Sequence, residues 1–127
     1  MANDTQLEWL FPIPVFKSQL DDFDSYQSKL AELANNLHLQ DEGVSRSNIG
    51  GWHSKDLRED YARAPLDWVG QKIFACASEG LAKSRKVNAP IDIQLDNSWF
   101  IINGKNHWNS PHTHMPSQWS GVLYIAV

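Results

Sequence analysis

The chain has 127 residues, a net charge of −4 and a hydrophobic fraction of 42%, which is typical of a single globular domain, residues 1–127, with its own core. The acidic balance argues against a nucleic-acid surface, and the single cysteine, Cys76, excludes an intramolecular disulfide framework. No apolar run is as long as a membrane span and the first residues lack the layout of a signal peptide, so we expect a cytoplasmic protein with no membrane partner.

The N-terminal part is predicted to be an extended segment followed by a helix. Residues 8–16 are apolar but contain Pro12 and Pro14, which favours an edge strand or an extended entry segment, because proline cannot donate to a central ladder. The apolar spacing predicts a helix from Asp21 to Leu39, with Asp22 or Asp24 as its cap. Its buried stripe consists of Phe23, Tyr26, Leu30, Leu33, Ala34 and Leu37.

The middle of the chain is predicted to be a long loop followed by a second helix. Between residues 40 and 64 the periodicity disappears and Gly, Ser and Asn residues dominate. Trp52 favours an ordered loop, since a large aromatic side chain normally needs burial, and ordered loops of this length are usually functional. The second helix is predicted from Pro65 to Lys86, and its buried face consists of Leu66, Val69, Ile73, Ala77 and Leu81.

The C-terminal part is predicted to contain three strands. They cover Ile91–Leu95, where apolar and polar residues alternate, Trp99–Ile102, and Val122–Val127. The tryptophans Trp99 and Trp108 are expected in the core. The fold class is therefore α+β, with N-terminal helices followed by the start of an antiparallel sheet.

The most informative motif is a pair of histidines, His112 and His114, in the run Ser110–Pro116. Side chains at i and i+2 of an extended backbone point the same way, so the two imidazoles would lie where one metal ion could bind both. Neutral imidazole suits zinc, copper, iron and nickel alike. The alternative is a pair of surface histidines that are hydrogen bonded and bind nothing.

A catalytic metal site usually has at least three protein ligands, and the pair supplies two. The residues His107, His53, Asp96 and Asp92 are open candidates for the third. A site with only nitrogen ligands has a higher net charge than one that includes a carboxylate, which leaves the identity of the metal open.

Several segments of the chain resemble a known pattern. Leu10–Phe16 is similar to the opening of one family, and Ser47–Ser54 resembles its Ser-Asn-x-Gly-Gly-Trp-x-Ser loop. Trp99, the histidine pair with Met115-Pro116, and Ser120–Tyr124 follow in the order and approximate spacing of its core signature. The family is that of the 2-oxoglutarate/Fe(II) oxygenases of marine bacteria and cyanophages, similar to prolyl hydroxylases, and the resemblance covers nearly the whole chain.

The resemblance implies a double-stranded β-helix (jelly-roll) flanked by helices, with Fe(II) as the metal and 2-oxoglutarate as the cosubstrate. His112 would match the first metal ligand. His114 would stand where prolyl hydroxylases have the acidic ligand of their H-x-D pair. Tyr124, on the strand after the pair, would face the cosubstrate pocket.

The chain also departs from the family. Further strands of the family carry a distal histidine ligand and an arginine for the cosubstrate carboxylate, and neither follows here before Val127. Three strands cannot close a jelly-roll, so we expect a truncated, N-terminal portion of an oxygenase that is inactive alone. A homodimer whose partner strands complete the sheet is the other possibility.

Two further hypotheses come from other classes of protein. A cupin-like metal protein also has an H-x-H pair on a jelly-roll strand, although Gln118-Trp119 stand where a glutamate is typical. A binding or assembly module would use its exposed strand edge to pair with a partner. The sequence does not identify a substrate.

Overall fold

Two α-helices, a 3₁₀ helix and four short strands form the regular structure of residues 13–85 and 92–126, which the computed structural model describes. In chain order they are α1 (Asp24–Gln40), β1 (Asn48–Ile49), β2 (Trp52–His53), a 3₁₀ helix (Arg58–Ala62), α2 (Leu66–Arg85), β3 (Ile101–Ile102) and β4 (Trp108–Asn109). This mixture confirms the α+β class. Neither described helix is long and apolar enough to cross a membrane.

Both predicted helices are present, and their apolar stripes form the core. In α1, Leu30 is completely buried and Ala34 is buried beside it. From α2, Leu66 and Val69 join them together with Trp68, a residue that the predicted stripe did not include. The cluster is completed by Trp52, Leu57 and Phe100, so the loop and the C-terminal part share one core with the helices.

Asp22 joins the N-terminal end of α1 to α2 and does not cap α1. No side-chain cap is present at the start of α1, so the predicted capping by Asp22 or Asp24 is wrong. The Asp22 carboxylate instead accepts a hydrogen bond from the Trp68 indole N–H (2.9 Å) and pairs with Lys72 (2.8 Å). Tyr26 stacks on the same indole at 4.3 Å, so this interhelical contact is both polar and aromatic.

The strands form two antiparallel pairs, and both connect the predicted loop to the C-terminal part. β1 pairs with β4, with Asn48 opposite Asn109, and β2 pairs with β3, with His53 opposite Ile101. The predicted loop therefore contains half of the strands. It also contains the 3₁₀ helix that leads into α2.

The other predicted strands differ from the structure. Residues 92–100 and 122–126 are irregular, because a strand needs a backbone ladder and the described residues provide none there. Residues 122–126 nevertheless keep the alternation, since Leu123 and Ile125 pack on the core while Val122 and Tyr124 are exposed. In the predicted edge segment, residues 13–16 form no strand. The described residues do not include the rest of that segment (residues 8–12) or three ends of predicted elements: Lys86, Ile91 and Val127.

We predict that Asp22→Asn lowers the melting temperature at neutral pH. The hydrogen bond with Lys72, followed by that with Trp68, holds the pKa of Asp22 below its ordinary value of 3.8. A carboxylate with a lowered pKa stabilises the fold above its unfolded-state pKa, and the effect is lost as the pH falls through the folded-state value. The difference in melting temperature between wild type and variant should therefore disappear in acid. Thermal unfolding followed by circular dichroism measures it.

The matched control is Glu32→Gln, which removes a carboxylate from the exposed face of α1. It should leave the melting temperature close to that of wild type at every pH. A difference in melting temperature between wild type and Asp22→Asn that stays the same in acid would contradict the assigned ion pair.

Candidate metal centre

His112 and His114 lie next to each other in the irregular segment that follows β4. Their ring centroids are 4.6 Å apart and the ring planes meet at 75°. The His112 side chain is exposed and that of His114 is half-buried. The segment is not a strand, but it brings the two imidazoles together as the i, i+2 spacing predicts.

A hydrogen bond to the backbone defines which nitrogen of the His112 ring carries the proton. Its Nδ1 lies 2.7 Å from the carbonyl oxygen of Ser110, and because a carbonyl only accepts, Nδ1 carries the proton. The lone pair of neutral His112 is therefore on Nε2, which accepts no hydrogen bond from residues 13–85 or 92–126 and could bind a metal. A hydrogen bond from the other ring nitrogen to a backbone carbonyl is the usual support of a metal-binding histidine.

The spacing of the two rings fits two neighbouring ligands of one metal ion. A metal–nitrogen bond of about 2.1 Å plus about 1.1 Å from nitrogen to ring centre places two ligands at a right angle with centroids roughly 4.5 Å apart. The observed separation is 4.6 Å. The two rings are therefore close enough for both imidazoles to bind one metal ion.

The Ser47–Ser54 loop holds the chain on the N-terminal side of the pair. Asn48 and Ile49 of β1 pair with β4, and the backbone N–H of Ser110 donates to the Ser47 carbonyl at 2.8 Å. The Asn109 side chain adds a longer bond to Ser47 Oγ at 3.3 Å. The backbone is thus fixed up to Ser110, whose carbonyl orients His112.

The same loop holds Trp99 through its second half. β2 pairs with β3, and beyond the ladder the Ser54 N–H donates to the Phe100 carbonyl at 3.0 Å. The Phe100 N–H in turn donates to Ser54 Oγ, also at 3.0 Å. Because Ser54 is buried, this exchange fixes the backbone beside Trp99 away from water.

Glycines allow the loop to turn sharply between its two halves. Gly50 has a φ of +81°, a left-handed conformation that side chains rarely adopt. A Cβ atom on Gly51 would lie 2.9 Å from the backbone oxygen of Ile102 and 1.9 Å from Asn103 Oδ1, so a larger residue would displace both neighbours. The Asn48 side chain closes the turn by donating to the Gly51 carbonyl at 2.7 Å.

Trp99 links His114 to a buried histidine. Its indole stacks with His53 at 5.1 Å and with His114 at 5.6 Å. His53 is 8% exposed and its Nδ1–H donates to the Ser54 carbonyl at 2.7 Å. We call His53, Trp99, His114 and His112 the aromatic cluster.

Among residues 13–85 and 92–126, no group of three His, Cys, Asp or Glu side chains is placed to hold a metal ion. His53, an open candidate for the third ligand, is therefore not grouped with the pair, although it contacts Trp99. His107 Nδ1 accepts a hydrogen bond from the Gly104 N–H at 3.0 Å, which occupies its lone pair.

The two acidic candidates differ in their contacts. Asp96 accepts a hydrogen bond from Ser117 Oγ at 2.8 Å, and the Ser117 N–H donates to the His114 carbonyl at 2.8 Å. Asp96 thus anchors the turn that follows the pair. Asp92 is exposed in the irregular stretch before Trp99.

Tyr124, the predicted cosubstrate contact, lies in a different place. It is 73% exposed and lines a shallow groove with Phe23, Gln27, Ile125 and Ala126. The Gln27 side chain donates to the Ile125 carbonyl at 2.7 Å and so fixes this segment on α1. The histidine pair does not line this groove.

Neither Trp99 nor Trp108, the two tryptophans expected in the core, belongs to it. Trp108 is 52% exposed, so the expectation is wrong; it stands opposite Ile49, which is also exposed, on the outer side of the β1–β4 pair. Trp99 is half-buried in the aromatic cluster. Nothing in the sequence indicated three serines whose hydrogen bonds support the site: Ser54, Ser110 and Ser117.

The start of the loop is fixed by a charged contact. Lys55 pairs with Asp41, and this hydrogen bond, followed by one from the Gly43 N–H, lowers the pKa of Asp41. The Trp52 indole N–H donates to the Asp41 carbonyl at 3.0 Å. The loop is therefore anchored where it leaves α1.

We predict that Ser54→Ala lowers the free energy of unfolding by about 1–3 kcal/mol, the cost of leaving the buried Phe100 N–H without an acceptor. Urea denaturation at neutral pH measures the change. Ser78→Ala removes an exposed hydroxyl from α2 and should change stability by less than about 0.5 kcal/mol. Equal effects of the two substitutions would contradict the role of Ser54.

Comparisons of this chain with protein-family models, with curated proteins and with solved structures found no match. Function must therefore be inferred from the residues themselves. They provide an accessible histidine pair with the spacing of metal ligands, a backbone fixed on both sides of it, and an aromatic contact to His114.

Proposed function

We propose that this domain provides the metal-binding pair of a non-haem Fe(II), 2-oxoglutarate-dependent oxygenase of the jelly-roll class. The observation that carries the proposal is the 4.6 Å separation of the His112 and His114 rings, which is close enough for both imidazoles to bind one metal ion. Fe(II) held by the pair would, with 2-oxoglutarate and molecular oxygen, supply oxidative decarboxylation: one oxygen atom would enter succinate as carbon dioxide is released, and the other would hydroxylate a substrate.

Each residue has a definite role in this proposal. His112 binds the metal through Nε2, because its Nδ1–H is held by the Ser110 carbonyl. His114 would bind the same metal, in the place where prolyl hydroxylases have an acidic ligand. A metal held by these two residues would still be able to bind a chelating cosubstrate and oxygen.

The support for the oxygenase class is the convergence of two separate motifs. The Ser47–Ser54 loop and the His112–Pro116 segment are far apart in the sequence, and each resembles a signature of the same family. In the fold the loop binds Ser110 on one side and Phe100 on the other. The loop is therefore the support of the pair, which gives a physical reason for the two motifs to occur together.

Anaerobic titration with Fe(II) and 2-oxoglutarate tests this proposal. We expect the visible absorption band of an Fe(II)–2-oxoglutarate chelate to develop on the protein only when both are added. His112→Ala and His114→Ala should each weaken Fe(II) binding by at least about tenfold, since each removes a direct ligand. Succinate released after oxygen is admitted provides a second readout.

The matched control is His38→Ala, which removes an exposed histidine from the end of α1. It should bind Fe(II) as the wild type does. Stoichiometric zinc or nickel binding that 2-oxoglutarate does not alter would overturn the oxygenase proposal in favour of a cupin-like metal protein. Equal Fe(II) binding by all three histidine variants would overturn the metal site itself.

A further inference from the structure

The two proposed ligands are oriented in different ways. The His112 ring is held by a hydrogen bond to the Ser110 carbonyl. The His114 ring lies against the Trp99 indole, with centroids 5.6 Å apart and planes inclined by 29°. The ring of a metal-binding histidine is usually oriented by a hydrogen bond from its other nitrogen. The neighbour of the His114 ring is instead the face of an indole.

Trp99 is itself fixed from the interior of the fold. His53 stands opposite Ile101 in the β2–β3 pair, and Trp99 lies two residues before Ile101, on the same face. This diagonal position explains the stacking of His53 on Trp99 at 5.1 Å, with planes only 16° apart. His53 is buried and bonded to the Ser54 carbonyl, so it is a rigid neighbour.

We infer that Trp99 is a positioning residue for the proposed metal site: supported by His53, its indole sets the orientation of the His114 ring and thereby the metal affinity, without touching the metal. This inference rests on the proposed metal-binding function. Fixing a ligand before binding reduces the conformational entropy that binding must remove. Trp99 therefore matters to affinity even though it donates no atom to the metal.

Calorimetric titration of the full chain with Ni(II) tests the inference. Ni(II) binds imidazole and, unlike Fe(II), is not oxidised in air. Trp99→Leu removes the stacked face and should weaken Ni(II) binding roughly threefold to tenfold. Trp99→Phe keeps an aromatic face and should stay within about twofold of wild type. Equal affinity of wild type, Trp99→Phe and Trp99→Leu would overturn the inference.

A double-mutant cycle separates positioning from a general loss of structure. In a His114→Ala background the ring that Trp99 orients is gone, so Trp99→Leu should have no further effect on the remaining Ni(II) affinity. The same fold-loss with and without His114 would mean that Trp99 acts only through stability, which overturns the inference. Thermal unfolding of each variant is measured alongside.

Two further outcomes keep the tests distinct. If His112→Ala and His114→Ala bind Ni(II) as wild type does, the proposed function fails. If they lose affinity while Trp99→Leu does not, this inference alone fails.

If Trp99→Leu does not fold, proton NMR of the wild type tests the inference instead. Nuclear Overhauser contacts from Trp99 to both His53 and His114 support the inference, and contacts to neither overturn it.

Discussion

The structure depends on the hydrogen-bonded junction between residues 52–57 and residues 98–102. β2 pairs with β3, Ser54 exchanges two hydrogen bonds with Phe100, and the Leu57 N–H donates to the Ser98 carbonyl at 2.8 Å. Because side chains alternate along an extended backbone, this junction directs Trp52 and Phe100 into the core. It leaves His53 and Trp99 together on the other face, and the position of His114 follows from that contact.

The loop that forms this junction also forms the β1–β4 pair, and the two halves act on the histidine pair differently. Its first half fixes the backbone up to Ser110 and so orients His112 through a carbonyl. Its second half fixes Trp99, which faces His114. The sharp turn at Gly50 and Gly51 lets a single short segment do both. A loop without helical or strand periodicity thus becomes the element that organises the candidate site.

The sequence was informative where local periodicity decides the structure. The helical stripes around Leu30 and Val69 are buried as predicted, since an amphipathic pattern determines which face meets a core. The pairing of His112 with His114 was likewise accessible from an i, i+2 spacing. Asp22 was predicted to be a local cap but binds Trp68 and Lys72, because tertiary contacts compete with local ones and the sequence does not show them.

Strands were predicted less well for the same reason. Residues 122–126 have the alternation of a strand, but a ladder needs a partner, and partner choice is not encoded in the segment itself. Trp108 was expected to be buried because of its size, yet its position on the outer side of the β1–β4 pair exposes it. The stacking of Trp99 with His53 and His114 depends on the register of β2 against β3, which no spacing in the sequence specifies.

The central claim is that His112 and His114 bind one metal ion together. X-ray absorption spectroscopy of the Ni(II)-loaded protein tests this most directly, because scattering from the imidazole ring counts histidine ligands. We predict two imidazole ligands in the wild type, one in His114→Ala and none in the double variant His112→Ala/His114→Ala. An imidazole count that is the same in the wild type and the double variant would contradict the claim.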